Sequence, residues 1–587
     1  MTFTWKIGGE AGFGIMTTGL VFSKIASRLG YKIFDFIEYP SLIRGGHNAY
    51  EVRISDEDVK APAPFIDCLV CLNLDTLKKH QKRLQTSSLV IYDEEDFQAE
   101  GNFQKISVPY NKIIKKNQGP TVMKNTIALG ASLALLGGDF EILEKIIEEQ
   151  FKNKGEKIID FNKKFAFDGY QHIIKNYPNQ IKPILKKIKK EDQLVLSGND
   201  AFSLASVIAD CRMYVAYPMT PASSVLATLA SWQEKTGMIV RHAEDEISVI
   251  NTAIGSSFAG ARSAVGTSGG GFALMVEAIA LAGITETPLV IFLSQRPGPA
   301  TGMPTWTEQG DLLFAINAGH GEFPKIVLAP GDAEEMIELT AKAYNLADIY
   351  QTPVIIMSDM HLSESHFSVS LDFINKFIAN YSVDRGKTIK LEDLKNSNLP
   401  KKFYNLNQNS QFQNFLRYQI TEDGISLRLL PGEEGYYYQA NSYEHLENGH
   451  TTEEGDQRRE QVNKRNRKII TYLKNHFQIP KVYGDLAKAE IIFVSWGSTK
   501  GAVIEAQKIL AKSSKSTAFI HFNHLYPLAK EKINHLFLTN KKYVLVENNS
   551  WGQLGKLLMQ EIGIEIKEKI LKYDGRQITP EEIINSL

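Results

Sequence analysis

Hydrophobic and polar positions alternate in short blocks that change period along the chain. Phe3–Ile7 reads as a strand, followed by the turn GGEAGFGI and a helical spacing over Thr17–Leu29. Lys32–Ile37, Cys68–Leu72 and Ser88–Tyr92 are further strand-like runs, and amphipathic helices are predicted over Met123–Leu136 and Phe140–Lys152. Strands alternating with helices predict βαβ units and a mainly parallel sheet. A second block shows the same rhythm. Helices are predicted at Asp200–Ala209, Val225–Thr236 and Asp245–Ala259, and strands at Met238–Arg241, Ser263–Thr267, Leu289–Leu293, Lys325–Leu328 and Pro353–Met357.

From about residue 373 to 480 the rhythm breaks. This stretch is rich in Asn, Gln, Lys and Glu and reads as a polar excursion ending in a charged helix near Asp456–His476. The last block, 485–587, returns to strands (Ile491–Ser495, Thr517–His521, Lys542–Glu547) and helices (Thr499–Ala511, Gln553–Glu561). A basic run, Lys182–Lys190, separates the first two blocks and reads as a linker or solvated face rather than a nucleic-acid site. The pattern places domains at 1–185, 193–375 and 481–587, with 376–480 as a connecting segment.

Composition narrows the function classes. The chain has 587 residues, 66 Lys+Arg against 67 Asp+Glu, and 43% hydrophobic residues. About 150 residues per domain suggests about four units. The charge balance argues against nucleic-acid binding. No run of about 18 apolar residues predicts a membrane span, and the N-terminal residues lack signal-peptide features. Only Cys68, Cys71 and Cys211 are present, too few for a disulfide framework or a four-thiolate cluster, which favours a reducing, cytoplasmic setting. Cys68 and Cys71 fall in a predicted strand and face opposite sides, so a shared metal is not expected. His445 and His450 stand among five carboxylates, but their spacing matches no metal-ligand pattern, and a solvated segment is expected instead. No metal site is therefore predicted.

Several turns carry candidate chemistry. Gly8–Gly14 could cradle an anion at a helix start or form a tight turn, and both readings stay open. Arg44-Gly45-Gly46-His47-Asn48 is a second polar turn. In Tyr217-Pro218-Met219-Thr220-Pro221, each proline extends its predecessor and holds Thr220 at a strand's C-terminal end, where open α/β sheets bind ligands. Glu244-Asp245-Glu246 precedes a small-residue helix, where acids also suit the helix dipole. The glycine cluster after Ser268, including Gly269 and Gly270, permits close approach of a ring. Arg296, beside Pro297 and Pro299, is suited to two-point recognition of a carboxylate.

With these residues in view, the sequence resembles the alpha subunits of 2-oxoacid:ferredoxin oxidoreductases that carry an N-terminally fused gamma domain. The resemblance rests on GGEAGFGI and EYPSLIRGGHNAYEVRIS, on YPMTPASS, EDEISVINTAIGSSFAGARS, GTSGGGFALM and SQRPGPATGMPTWTEQGD, on SYEHLENGHTTEEGDQRREQVNKRNRK, and on VSWGSTKGAVIEA and VENNSWGQLGKLL. It implies a multidomain α/β fold: a gamma-type domain, a thiamine-pyrimidine-binding domain, a connecting segment and a transketolase C-terminal-like domain. It implies coenzyme-A-dependent oxidative decarboxylation of a 2-oxoacid, with 2-oxoglutarate to succinyl-CoA favoured and electrons passed to ferredoxin. Glu246, nine residues before Gly255, is similar to the glutamate that thiamine enzymes place against the aminopyrimidine. Thr220 and Arg296 match substrate-side positions; Tyr217, Pro218, Ser268, Gly269 and Gly270 match the cofactor pocket.

The departures carry as much weight. No G-D-G motif for the diphosphate and Mg²⁺ is present; Asp168-Gly169, Asp423-Gly424 and Asp574-Gly575 all lack the first glycine. Within the resemblance this implies a thiamine diphosphate site shared with a beta subunit that supplies Mg²⁺ and the iron–sulfur cluster, in an alpha2beta2-like hetero-oligomer. The chain alone is then expected to be inactive. Alternatives are a pyruvate or branched-chain 2-oxoacid substrate, a ferredoxin-independent thiamine transferase, or a non-catalytic assembly subunit.

Overall fold

The computed structural model describes residues 2–40, 46–188, 192–390, 392–393, 404–405 and 413–587. Among the described residues, fourteen strands precede the polar excursion: β1 (Thr2–Glu10), β2 (Lys32–Glu38), β3 (His47–Ser55), β4 (Ile66–Cys71), β5 (Leu84–Tyr92), β6 (Gln104–Ser107), β7 (Gln193–Ser197), β8 (Met213–Ala216), β9 (Ile239–His242), β10 (Ser263–Thr267), β11 (Leu289–Gln295), β12 (Ile326–Leu328), β13 (Pro353–Asp359) and β14 (His366–Ser370). The chain forms two compact units, one of Met1–Ser197, Glu364–Lys376 and Thr579–Leu587, the other of Gly198–Ser363 and Phe377–Ile578.

The first unit is built on a sheet ordered β6-β5-β4-β1-β3-β2-β14-β7. The predicted helices appear as Ile15–Arg28, Lys124–Leu135 and Phe140–Phe151, joined by Glu156–Asn176. The sheet is mixed rather than mainly parallel. β4, β5 and β6 run parallel with β1, whereas β1–β3, β2–β3, β2–β14 and β7–β14 are antiparallel. The connection from β2 to β3 is too short for a crossover helix, so that pair must turn back on itself. β7 and β14, which lie within the span 193–375, complete this sheet. Cys68 and Cys71 are fully buried in β4 and pack into separate hydrophobic clusters, on opposite faces as their spacing predicts. Trp5 stacks on Phe22 at 4.2 Å in the larger core. Gly12 and Gly14 adopt left-handed φ values of 94° and 68°, which suit glycine in the turn that opens helix Ile15–Arg28. Arg44 and Gly45 of the second polar turn, and Lys189 and Lys190 of the basic run, lie outside the described residues.

The second unit contains a sheet ordered His524–Tyr526, β12, β13, β11, β10, β8, β9. β8 to β13 are mutually parallel, and His524–Tyr526 pairs antiparallel with β12. The C-terminal block forms a five-stranded sheet whose core strands Thr517–Phe522, Ile491–Trp496, Lys542–Glu547 and Glu568–Leu571 are parallel.

The polar excursion departs from its expected solvation. Helix Gly455–Asn475 buries Lys464 and Lys468 against Glu286, with Nζ–carboxylate distances of 2.5 Å for both. Glu444 accepts from Arg458 at 2.7 Å and from Arg465 at 2.8 Å. His445 is buried, with Nε2 3.2 Å from the Ile284 carbonyl oxygen. A charged segment can bury this way only because its charges find partners. Among the described residues no group of three or more His, Cys, Asp or Glu is arranged to hold a metal ion, and no helix is long and apolar enough to cross a membrane.

Candidate active site

Four adjacent parallel strands, β11, β10, β8 and β9, each deliver one predicted element at their C-terminal ends. Arg296 follows β11, Ser268–Gly270 follow β10, Tyr217–Thr220 follow β8, and Glu246 follows β9 after a three-residue turn. Chain direction therefore brings together residues up to about 80 positions apart, at the edge where parallel α/β sheets expose ligand-binding loops.

Glu246 is the first residue of helix Glu246–Phe258. Asp245 is its N-cap, with Oδ1 accepting from Ser248 N at 2.7 Å. This division of labour separates the two acids: Asp245 serves the helix end, and Glu246 turns inward, 4% exposed. Its Oε1 is closed off from solvent and has no hydrogen-bond partner. A buried carboxylate oxygen without a donor is costly, and a ligand donor would satisfy it. The facing backbone explains the glycines. A Cβ at Gly271 would lie 2.6 Å from Glu246 Oε1 and 2.1 Å from Thr267 Oγ1, whereas one at Gly270 would meet open space. Ser268, fully buried, caps helix Gly269–Ile284 without a side-chain bond, and its Oγ also lacks a partner. These orphaned polar atoms, with a glycine-lined gap beside them, fit a flat heteroaromatic ring that offers its own donors and acceptors.

Arg296 Nη1 donates to the Thr220 carbonyl oxygen at 2.8 Å. The arginine is thereby anchored to the Tyr217–Pro221 loop. Burial pulls its pKa down, partly opposed by the carboxyl group of Asp311. Tyr217 is exposed and lies 6.1 Å from the His242 ring, centroid to centroid; Pro218 is also exposed.

Two carboxyl groups were not singled out by sequence. Asp311 abuts Gly269, where a Cβ would come within 2.5 Å of its Oδ2. That oxygen is closed off without a partner. Burial pushes Asp311 up to about 6 and Glu308 up to about 7, the latter also repelled by Asp311. Both lie in the polar run TEQGD, which reads locally as an exposed loop; the pairing with Gly269 is the only signal, and it is long-range.

The chain is similar to known proteins along its whole length. A family model described as pyruvate flavodoxin/ferredoxin oxidoreductase, thiamine diphosphate-binding, matches residues 205–464. A second, pyruvate ferredoxin/flavodoxin oxidoreductase, matches residues 4–172. The chain is 32% identical to the 2-oxoacid:ferredoxin oxidoreductase subunit alpha of Saccharolobus solfataricus, over 99% of this chain and 97% of that one. It is 30% identical to the corresponding subunit of a Sulfolobus species, over 100% and 96%. Among solved structures it is similar to the 2-oxoglutarate:ferredoxin oxidoreductase of Magnetococcus marinus with 2-oxoglutarate, coenzyme A and succinyl-CoA bound. The TM-score is 0.87, with 28% identity, covering 100% of this chain and 98% of that chain.

Proposed function

From a chain that belongs to the family of 2-oxoacid:ferredoxin oxidoreductase alpha subunits, we infer that the glycine-turn site is the alpha half of a shared thiamine diphosphate site for oxidative decarboxylation of a 2-oxoacid. The observation that carries this reading is Glu246 Oε1, buried and unpartnered against the gap at Gly270 and Gly271. When bound, thiamine diphosphate supplies the nucleophilic carbon for attack on the 2-oxo group. Glu246 Oε1 would accept from a protonated ring nitrogen, and its fixed place at the helix start removes the need to reorient. Ser268 Oγ and the Gly269–Gly271 backbone would line the ring's edge. Arg296, anchored through Thr220, directs the rest of its fork to the substrate carboxylate.

The partner reading rests on two features. The chain has no G-D-G motif, so the diphosphate, Mg²⁺ and the cluster are assigned to a beta subunit. Helix Glu246–Phe258 also leaves Ile247 52% exposed beside the site, and Leu274 on the next helix is equally open, a face suited to a partner domain. 2-Oxoglutarate is the preferred acid and coenzyme A the acyl acceptor, supported by the ligands of the Magnetococcus relative; ferredoxin is the acceptor of the electrons.

The test is co-purification with the beta subunit and ferredoxin reduction across a panel of 2-oxoacids with coenzyme A. Selective turnover of 2-oxoglutarate is expected. Turnover of another 2-oxoacid corrects the substrate alone, and no turnover by a thiamine-loaded complex overturns the reading. The isolated chain is expected to bind thiamine diphosphate weakly by calorimetry; tight binding would overturn the shared site.

A further inference from the structure

We propose that Asp311 is a positioning residue of the substrate site, setting how firmly Arg296 holds an anionic substrate. The inference rests on the functional reading above and assigns a role to a residue outside the predicted site.

Asp311 and Arg296 are tied to the same strand end. Asp311 N donates to Gln295 Oε1 at 2.9 Å, and Gln295 is the last residue of β11, directly before Arg296. Gln295 is itself fixed, fully buried and donating through Nε2 to the Ser358 carbonyl oxygen at 2.9 Å. The loop between Arg296 and Asp311 therefore leaves and returns to one anchored point. The carboxyl group then lies against the Gly269 backbone, so close that no side chain fits there. Oδ2 has no donor. An acid kept this way is destabilising unless its charge is used.

The charged group acting on Asp311 is Arg296, and the charge of Asp311 in turn repels that of Glu308. An ionised Asp311 draws on the field of Arg296 and repels an incoming carboxylate. A protonated Asp311 does neither, and its hydroxyl becomes a donor. Burial places this change near neutrality, with Asp311 raised to about 6 and Glu308 to about 7. The affinity of Arg296 for an anion thus depends on pH over a range in which 2-oxoacids stay fully ionised.

The test is calorimetric binding of oxalate, a planar dianion, to the assembled alpha–beta complex from about pH 5.5 to 8.5. Turnover of 2-oxoglutarate is measured in parallel. For the wild type, oxalate affinity is expected to rise about three- to tenfold as pH falls through the Asp311 titration. Asp311→Asn is expected to bind oxalate about three- to tenfold more tightly at high pH and to lose the step near 6. Glu308→Gln is expected to keep that step near 6, because Glu308, raised to about 7, is largely protonated where Asp311 titrates; a step lost in this variant overturns the proposal. A flat wild-type profile, or an Asn variant that keeps the step or binds more weakly, overturns the proposal. If Asp311→Asn does not assemble, the wild-type and Glu308→Gln profiles decide alone. Oxalate binding is read without turnover. Loss of turnover on every 2-oxoacid therefore overturns the functional reading, whereas flat oxalate binding overturns the role of Asp311 only.

Discussion

Glu246 and Glu286 are both buried glutamates in the second unit, and the fold treats them in opposite ways. Glu286 is fully buried with a left-handed φ of 50°, and is met by Lys464 and Lys468 at 2.5 Å. The Arg417 guanidinium donates to its carbonyl oxygen at 2.7 Å. Three cations face one carboxylate. They hold Glu286 well below the usual carboxylate range, while burial pushes Lys464 down to about 7 and Lys468 to about 8. Glu246 is almost as buried, yet one of its oxygens meets nothing. The first arrangement is saturated and locks helix Gly455–Asn475 onto the sheet domain. The second is incomplete until something else supplies a donor. A buried carboxylate is therefore read as structural or functional by what faces it, not by its depth.

The sharpest way to break this contrast is to neutralise each acid. Glu246→Gln in the reconstituted complex is expected to lower kcat about 10²- to 10⁴-fold while denaturant midpoints stay within error. Unchanged turnover would make Glu246 a structural acid like Glu286. Glu286→Gln leaves two buried ammonium groups without their anion and is expected to cost about 3–5 kcal/mol in urea unfolding, with turnover per folded molecule retained. A loss under about 1 kcal/mol would show that the lysines reach water instead.

Smaller effects sharpen the same line within the site. Arg296→Lys keeps the charge but loses the planar fork, and a rise in KM of about tenfold with a modest change in kcat is expected. Asp311→Asn removes an unpaired buried charge and is expected to stabilise the fold by about 1 kcal/mol at neutral pH. The sign follows from Asp311 being raised to about 6 in the folded chain. The folded state then holds more protons than an unfolded carboxyl near 3.9. Its contribution is fully present below about pH 4 and is lost as pH rises through about 6. The stabilisation by Asn should therefore vanish in acid; a constant difference across pH would refer it to packing instead.

The loops of the candidate site are legible in the sequence. Thr220 and Arg296 stand beside prolines, and Ser268–Gly270 form a glycine turn, so local chemistry marks their loops. By local chemistry Asp245 and Glu246 are both acids at a helix start, and only the resemblance singles out Glu246; in the fold, Asp245 takes the N-cap bond to Ser248. Asp311 and Glu308 were missed because a carboxyl in a polar loop has no local signature of burial. The Glu286–Lys464–Lys468 cluster was missed for the same reason. Its members are 178 and 182 positions apart, and the helix that carries the lysines looks like a solvated charged face. β7 and β14 are not among the strands that the pattern predicts, and only their pairing with distant segments places them in the first sheet.

What the sequence by itself determined was the alternation of strands and helices, the turns that end them, the residues with reactive or recognition chemistry, and the absence of a G-D-G diphosphate motif and a cysteine cluster. These depend on spacing and on the conformational limits of individual residues. Only the tertiary structure decided which charges are compensated. Desolvation depends on everything packed around a group: it leaves Glu246 and Asp311 each with an oxygen that meets no donor, surrounds Glu286 with cations, and turns a polar segment into part of the core.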